Sequence, residues 1–249
     1  MSGQQPQIEM QCVSKRFNGT LALDSASFSL PPGEIVGLLG SNGAGKTTAL
    51  RCLVGLLRPT DGRCLVCGID PQVDAIAVRR VVGFSPDEPQ FTPHLTGREI
   101  LDFVTAIRNV DPMAAKERLA RLIPSWNFEA ELGVETRKYS LGARKKLALL
   151  LALIHDPPVL LLDEPTNGLD LDSTLALRDV LRDAAGRGCT VLVSTHVLEN
   201  VEKIAHRIVI LDRGSVKAEG TFDALKLKAG VSSDASLEDT WIALHAGTK

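Results

Sequence analysis

The sequence predicts an α/β fold: a mostly parallel sheet covered by helices, led by an antiparallel β subdomain and interrupted by an inserted α-helical subdomain. Three patterns predict it. Short apolar runs at 35–39, 159–162 and 190–194 alternate with helical segments, as in sheets covered on both faces. From Ile8 to Ser29 apolar and polar residues alternate around Asn18-Gly19, a hairpin signal. Between about Thr96 and Arg137 the pattern is helical, with charges interleaved and little strand character.

Taken in order, the opening strands turn at Asn18-Gly19 between Phe17 and Leu21-Ala22-Leu23, and Pro31-Pro32-Gly33 punctuates before the strand Ile35–Leu39. A helix follows, with Ala49, Leu50, Leu53, Val54 and Leu57 at helical spacing, and Pro59-Thr60-Asp61-Gly62 closes it. Residues 63–67 and 80–85 read as further strands. After the helical insertion, a helix runs from Leu141 to about His155 and Pro157-Pro158 breaks it. A strand at Val159–Leu162, a helix around 171–186 and a strand at Thr190–Ser194 complete the reading. One domain is expected over 1–225, with the helical subdomain at about 96–155, and 226–249 as a short tail of the same domain.

With 249 residues, 44% of them hydrophobic and 23% charged, the chain can bury a full core. A net charge of −2 argues against a protein held on nucleic acid or an anionic membrane by charge alone. No basic-then-apolar leader opens the chain, and the longest apolar stretch, Leu147 to Ile154, is far short of the ~20 residues that span a bilayer. A cytoplasmic protein is expected. The odd count of five cysteines fits a reducing compartment, and Cys64-Leu65-Val66-Cys67, lacking a second Cys/His pair, reads as strand rather than zinc site.

The densest chemical signal is Gly40-Ser41-Asn42-Gly43-Ala44-Gly45-Lys46-Thr47-Thr48, which fits G-x-x-x-x-G-K-[ST]. Glycines let backbone N–H groups close around phosphate oxygens, Lys46 bridges the outer phosphates, and the Thr47 hydroxyl suits Mg²⁺. Strand before and helix after supply the required context, with the helix amino end aimed at the phosphates. The loop says that the protein handles ATP or GTP, and the fold expected around it has a P-loop NTPase core. Val159-Leu160-Leu161-Leu162-Asp163-Glu164 is an apolar strand ending in two carboxylates. Asp163 suits the water shell of Mg²⁺, and Glu164 a proton-accepting base for an attacking water. His196 also follows a buried strand, Val191-Leu192-Val193, which places its imidazole at the same edge for a γ-phosphate or water contact.

Together with Tyr139-Ser140-Leu141-Gly142-Ala143-Arg144, Leu161-Leu162-Asp163-Glu164-Pro165-Thr166-Asn167-Gly168-Leu169-Asp170 and Ser194-Thr195-His196, this order of motifs strongly resembles an ATP-binding cassette (ABC) ATPase of the export-type group. The resemblance covers nearly the whole chain. It implies that Phe17 stacks on adenine, that Ser140 and Gly142 serve the nucleotide held by the opposite subunit, and that Asp170 communicates across that dimer. It further implies ATP as substrate, a second cassette as homodimer or related subunit, and a separate permease that holds the chain at the inner face of the cell membrane. The stretch Gly83 to Glu99 resembles the loop that abuts the permease, and Ser236 to Ile242 resembles the end of the export group, as a packed amphipathic helix or a partner contact.

Three positions depart from the family pattern. Leu141 replaces the first signature glycine and Ala143 the usual glutamine. Asp87, in Gly83-Phe84-Ser85-Pro86-Asp87-Glu88, stands where the family places a glutamine that touches Mg²⁺ and water. Asp87 reaches the metal through water, or Glu88 or Gln90 substitutes. The competing class is a soluble cassette ATPase of translation or DNA repair; such relatives carry paired cassettes, coiled-coil insertions or zinc modules, none of which is present here, and no direct nucleic-acid partner is expected.

Overall fold

The computed structural model describes residues 5–246, so the first four residues of the expected domain and the last three of the expected tail, 247–249, lie outside the described residues. Strands β1 (Ile8–Phe17) and β2 (Thr20–Leu30) form the antiparallel hairpin. Asn18 and Gly19 both take left-handed backbone angles, φ 45° and 89°, as a two-residue turn that follows strand twist requires. Next come β3 (Ile35–Leu39), wholly buried, and α1 (Lys46–Leu53). Strand β4 (Asp61–Val66) pairs antiparallel with the other side of β1, giving the order β2-β1-β4. It starts earlier than the sequence pattern suggests because Asp61 still pairs with Ser14 across a register shift, where Gly62 takes φ 73° and a Cβ would lie 2.2 Å from the Cys12 carbonyl oxygen. It also ends one residue earlier, as Cys67 turns left-handed at φ 51°.

Residues 80 and 81, expected in a strand, instead close helix α2 (Ala75–Val81). Asp74 caps that helix by accepting from the Ala77 N–H, and only Val78 within it is buried. A local cap outweighs an apolar run. Strand β5 (Val82–Ser85) is correspondingly short.

The helical insertion then begins. Helix α3 (Gly97–Ile107) opens with a reciprocal Thr96/Glu99 capping box, and α4 (Pro112–Ser125) with an Asp111 cap and proline in its first turn. Trp126 and Phe128 are fully buried, and Phe128 meets the Tyr139 ring edge-on at 5.9 Å between centroids. Helix α5 (Leu141–Leu153) shares a hydrophobic cluster with the insertion and with β6 (Val159–Asp163), so it ties the two together. After α6 (Leu171–Gly186) and β7 (Thr190–Thr195) come α7 (Leu198–Glu202), β8 (Arg207–Asp212) and β9 (Ser215–Gly220). Helices α8 (Phe222–Ala229) and α9 (Leu237–Ala246) end the described chain, with Leu237 and Trp241 packed in one cluster with Leu198 and Val201 of α7.

The main sheet runs β5-β6-β7-β3-β8-β9; all neighbours are parallel except β8 and β9. Because β3, β6 and β7 lie side by side and parallel, the residues that follow them, Gly40, Glu164 and His196, emerge at one edge. In open α/β sheets that edge is where ligands sit.

Candidate active site

The loop after β3 needs its glycines for space as well as for conformation. A Cβ on Gly40 would come 2.6 Å from the Leu211 carbonyl oxygen, and one on Gly45, at φ 107°, 2.5 Å from that of Ala22. Gly45 precedes α1 without any side-chain cap, which leaves the first N–H groups of the helix and the positive end of its dipole for a ligand. Lys46 is 7% exposed, and its Nζ donates to the carbonyl oxygens of Gly40 (2.7 Å) and Ser41 (3.3 Å).

A cleft of about 460 Å³ opens here, within the range of small-molecule sites. Its walls include Phe17, Asn42, Gly43, Ala44, Gly45, Lys46, Thr47, Thr48, Asp87, Glu164 and His196. Of the remaining sequence-predicted residues, Gly40 and Ser41 contribute through their carbonyls, to Lys46. Asp163 is buried at the end of β6, where it accepts from the Ser194 hydroxyl. Phe17 is 42% exposed and its ring is approached by Lys15 Nζ at 5.0 Å, so that one cation–π contact already exists at the ring expected to stack on a base.

Glu164 is the most constrained side chain of the group. It is buried, its backbone takes φ 44°, and its N–H donates to the Ser194 carbonyl. Its Oε1 accepts from His196 Nδ1 at 2.9 Å and lies 3.7 Å from Lys46 Nζ. Since the carboxylate only accepts, the His196 proton sits on Nδ1, leaving Nε2 as an acceptor when the ring is neutral. Glu164 Oε2 is buried with no protein partner. A buried carboxylate oxygen without a partner, on a residue that lines the cleft, is suited to water or a metal-bound water.

Asp87 holds the opposite wall. Its Oδ1 accepts from Lys145 Nζ (3.2 Å) and from Asn167 Nδ2 (3.3 Å). Burial lowers the Lys145 pKa, and the Asp87 contact opposes that shift. No group of three or more His, Cys, Asp or Glu among the described residues forms a cation cage. Mg²⁺ requires none, since it keeps waters and shares one or two carboxylates with substrate phosphates. Of the oxygen donors expected for it, Thr47 and Asp87 line the cleft, whereas Asp163 lies buried and does not line it.

Ser140 and Gly142 do not line this cleft. Ser140 caps α5, accepting from the Ala143 N–H, and Leu141 beside it is 48% exposed. Gly142 has no room for a Cβ, which would meet the Gly168 carbonyl oxygen at 2.5 Å. Asp170 likewise stands outside the cleft, capping α6 through the Ser173 N–H and lying 3.6 Å from Lys146.

Residues 23–167 match the ABC transporter family. The chain belongs to that family. This cassette is 37% identical over 213 residues to the Nod factor export ATP-binding protein I of Burkholderia pseudomallei, covering 86% of its own length and 70% of the relative's. The ATP-binding subunit of an ABC transporter superposes on it with a TM-score of 0.91 at 29% identity, over 96% of this chain and 99% of the other. The dimeric bacterial cassette MJ0796 gives a TM-score of 0.77 at 26% identity, over 86% and 98%. With the family comes the activity: the cassette is an ATPase that serves a transporter.

Sequence reasoning missed Asn167, Lys145 and Ser194 as partners of the acidic residues. Asn167 stands inside a quoted motif, and Ser194 pairs in register with Asp163 across β6 and β7. Lys145 carries no sequence signal, being one of three successive basic residues at the head of a helix.

Proposed function

We propose that this cassette powers an exporter, binding ATP with Mg²⁺ and working on a separate membrane permease at the inner face of the cell membrane. The observation that carries the hydrolytic part is Glu164, held by Lys46 and His196 on one oxygen and buried without a partner on the other, in the wall of the cleft beside an uncapped phosphate loop. In this reading Lys46 turns from the Gly40 and Ser41 carbonyls to the outer phosphates, which also accept from the N–H groups of Gly43 to Thr48. Glu164 Oε2 takes the proton of the attacking water, and His196 keeps the carboxylate aimed. Thr47, Asp87 and, through water, Asp163 would hold Mg²⁺, which would neutralise charge on the phosphates when bound. Phe17 stacks on the base.

Ser140 and Gly142 lie outside the cleft of their own chain, so a second cassette supplies theirs to it and receives the same in return. The dimeric state of MJ0796 supports this. Export, with a permease on another polypeptide, is supported by the name of the Burkholderia relative, an ATP-binding protein of an export system. Among the described residues no helix is long and apolar enough to cross a membrane. We read 1–225 as the ATPase domain with the helical subdomain at about 96–155, and 226–249 as its tail.

The test is Glu164→Gln with ATP binding and turnover measured separately. Binding is retained and turnover falls by about 10²–10⁴-fold, the usual worth of a positioned base; near-normal turnover removes Glu164 from that role. Purification in detergent from its native membranes brings down a polytopic membrane protein, whereas ribosomes or DNA in its place would refute the transport reading.

A further inference from the structure

Lys145 lies on α5, five residues past the Ser140 cap, and is completely buried. Desolvating an ammonium is costly unless its hydrogens are placed, and a leucine would fill this position without that cost. The placement is specific. Nζ donates to the Glu164 carbonyl at 2.9 Å, to those of Asp163 and Pro86 at 3.3 Å each, and to Asp87 Oδ1 at 3.2 Å. These oxygens come from two strand ends, the exits of β5 and β6, and both exits run into the cleft. Lys145 also steadies a strained residue, because Glu164 at φ 44° is in a backbone region unfavourable to a non-glycine.

The charge balance at Asp87 is the second observation. Oδ1 is occupied by Lys145 and Asn167, while the side chain remains 43% exposed at the cleft wall. An anion is therefore presented to the nucleotide with its countercharge already behind it.

We propose that Lys145 is a positioning residue for hydrolysis, which fixes the Glu164 main chain and neutralises Asp87 so that the pair acts as one uncharged polar unit at the cleft. This rests on the nucleotide-site reading above. It carries a consequence that packing alone lacks: the two single substitutions shift the metal dependence in opposite directions. Lys145→Met leaves a bare carboxylate at the cleft and Asp87→Asn leaves a bare ammonium behind it.

The experiment compares Lys145→Met, Lys145→Arg, Asp87→Asn and the Asp87→Asn/Lys145→Met double variant in the full chain, with the nucleotide-free melting temperature as folding control. A fluorescent ATP analogue is titrated at varied Mg²⁺, and kcat and KM are measured in parallel. For Lys145→Met the Mg²⁺ needed for half-maximal binding falls by roughly three- to tenfold, and for Asp87→Asn it rises by a similar factor. The double variant returns to within about twofold of wild type. Turnover of Lys145→Met falls by about 10–100-fold with KM within about threefold, as expected when a base is misaligned, and Lys145→Arg recovers most of it. Unchanged Mg²⁺ requirements in both single variants, or a double variant no nearer to wild type than either, overturn the proposal. Should Lys145→Met not fold, Asp87→Asn and Lys145→Arg decide: an unshifted Mg²⁺ requirement in Asp87→Asn refutes it. Failure of the underlying site reading is recognisable separately, as intact ATP affinity in Lys46→Ala.

Discussion

The phosphate loop and the start of α5 are both helix amino ends, yet they are finished differently. At α1 the position before the helix is Gly45, left-handed and unable to cap, and Lys46 behind it is nearly buried. At α5 the position is Ser140, whose hydroxyl already satisfies the Ala143 N–H, and Leu141 stands out in solvent. An uncapped end within a walled cleft is completed by a ligand; a capped end on open surface holds its shape without one. The first is thus open to a ligand within a single chain, and the second, in the proposed reading, meets nucleotide only when a second cassette brings it.

The strongest way to break this contrast is Lys46→Ala. One charge-assisted contact to phosphate is worth about 1.5–3 kcal/mol, so ATP affinity by equilibrium titration falls on the order of tenfold to a hundredfold even in dilute monomer. Affinity unchanged there would mean that the α1 end does not hold the phosphates.

A second difference concerns acid, because α5 is followed at its far end by His155. Burial, with the nearby Arg108 guanidinium, holds the His155 pKa down to about 4, and its Nε2 lies 2.9 Å from Arg108 Nη1. The unfolded chain takes up this proton near 6.5, so the stability His155 contributes is fully present above about pH 6.5 and is lost as pH falls toward about 4. Across that window the loss is at most about 3 kcal/mol. Thermal melts at several pH values show a steeper decline for wild type than for His155→Gln, and identical slopes would remove His155 from the acid response.

The smallest expected effect sharpens the comparison most. Gly142→Ala pushes a methyl against the Gly168 carbonyl and displaces the exposed end of α5, while leaving the phosphate loop untouched. Turnover drops about tenfold, the scale of a small misplacement, and ATP affinity of the isolated chain stays as in wild type. A parallel loss of affinity would show that the two ends are one site within the monomer.

Much of this was legible in the sequence because the phosphate loop and the Asp163-Glu164 pair are contiguous, and each follows a strand whose apolar run is itself visible. The partners were not legible. Lys145 is buried by the return of β5 and β6 beneath α5, a consequence of topology that no run of neighbours encodes. Helix α2 escapes a sequence reading because its identity rests on one Asp74 cap rather than on an apolar face, and β8, β9 and α8 carry no motif that draws attention to them. Resemblance alone assigns Ser140 and Gly142 to the opposite subunit, and the fold leaves them outside the cleft of their own chain.

The left-handed backbone of Glu164 has a practical side. Glycine adopts φ near 44° freely and asparagine tolerates it far better than glutamate does, so a library screened only for heat resistance is drawn toward Glu164→Gly and Glu164→Asn, which remove the proposed base. Each survivor of that kind would melt later and, in the proposed reading, hydrolyse ATP about 10²–10⁴-fold more slowly. For anyone engineering this cassette, a raised melting temperature is therefore a warning at this position until phosphate release has been measured.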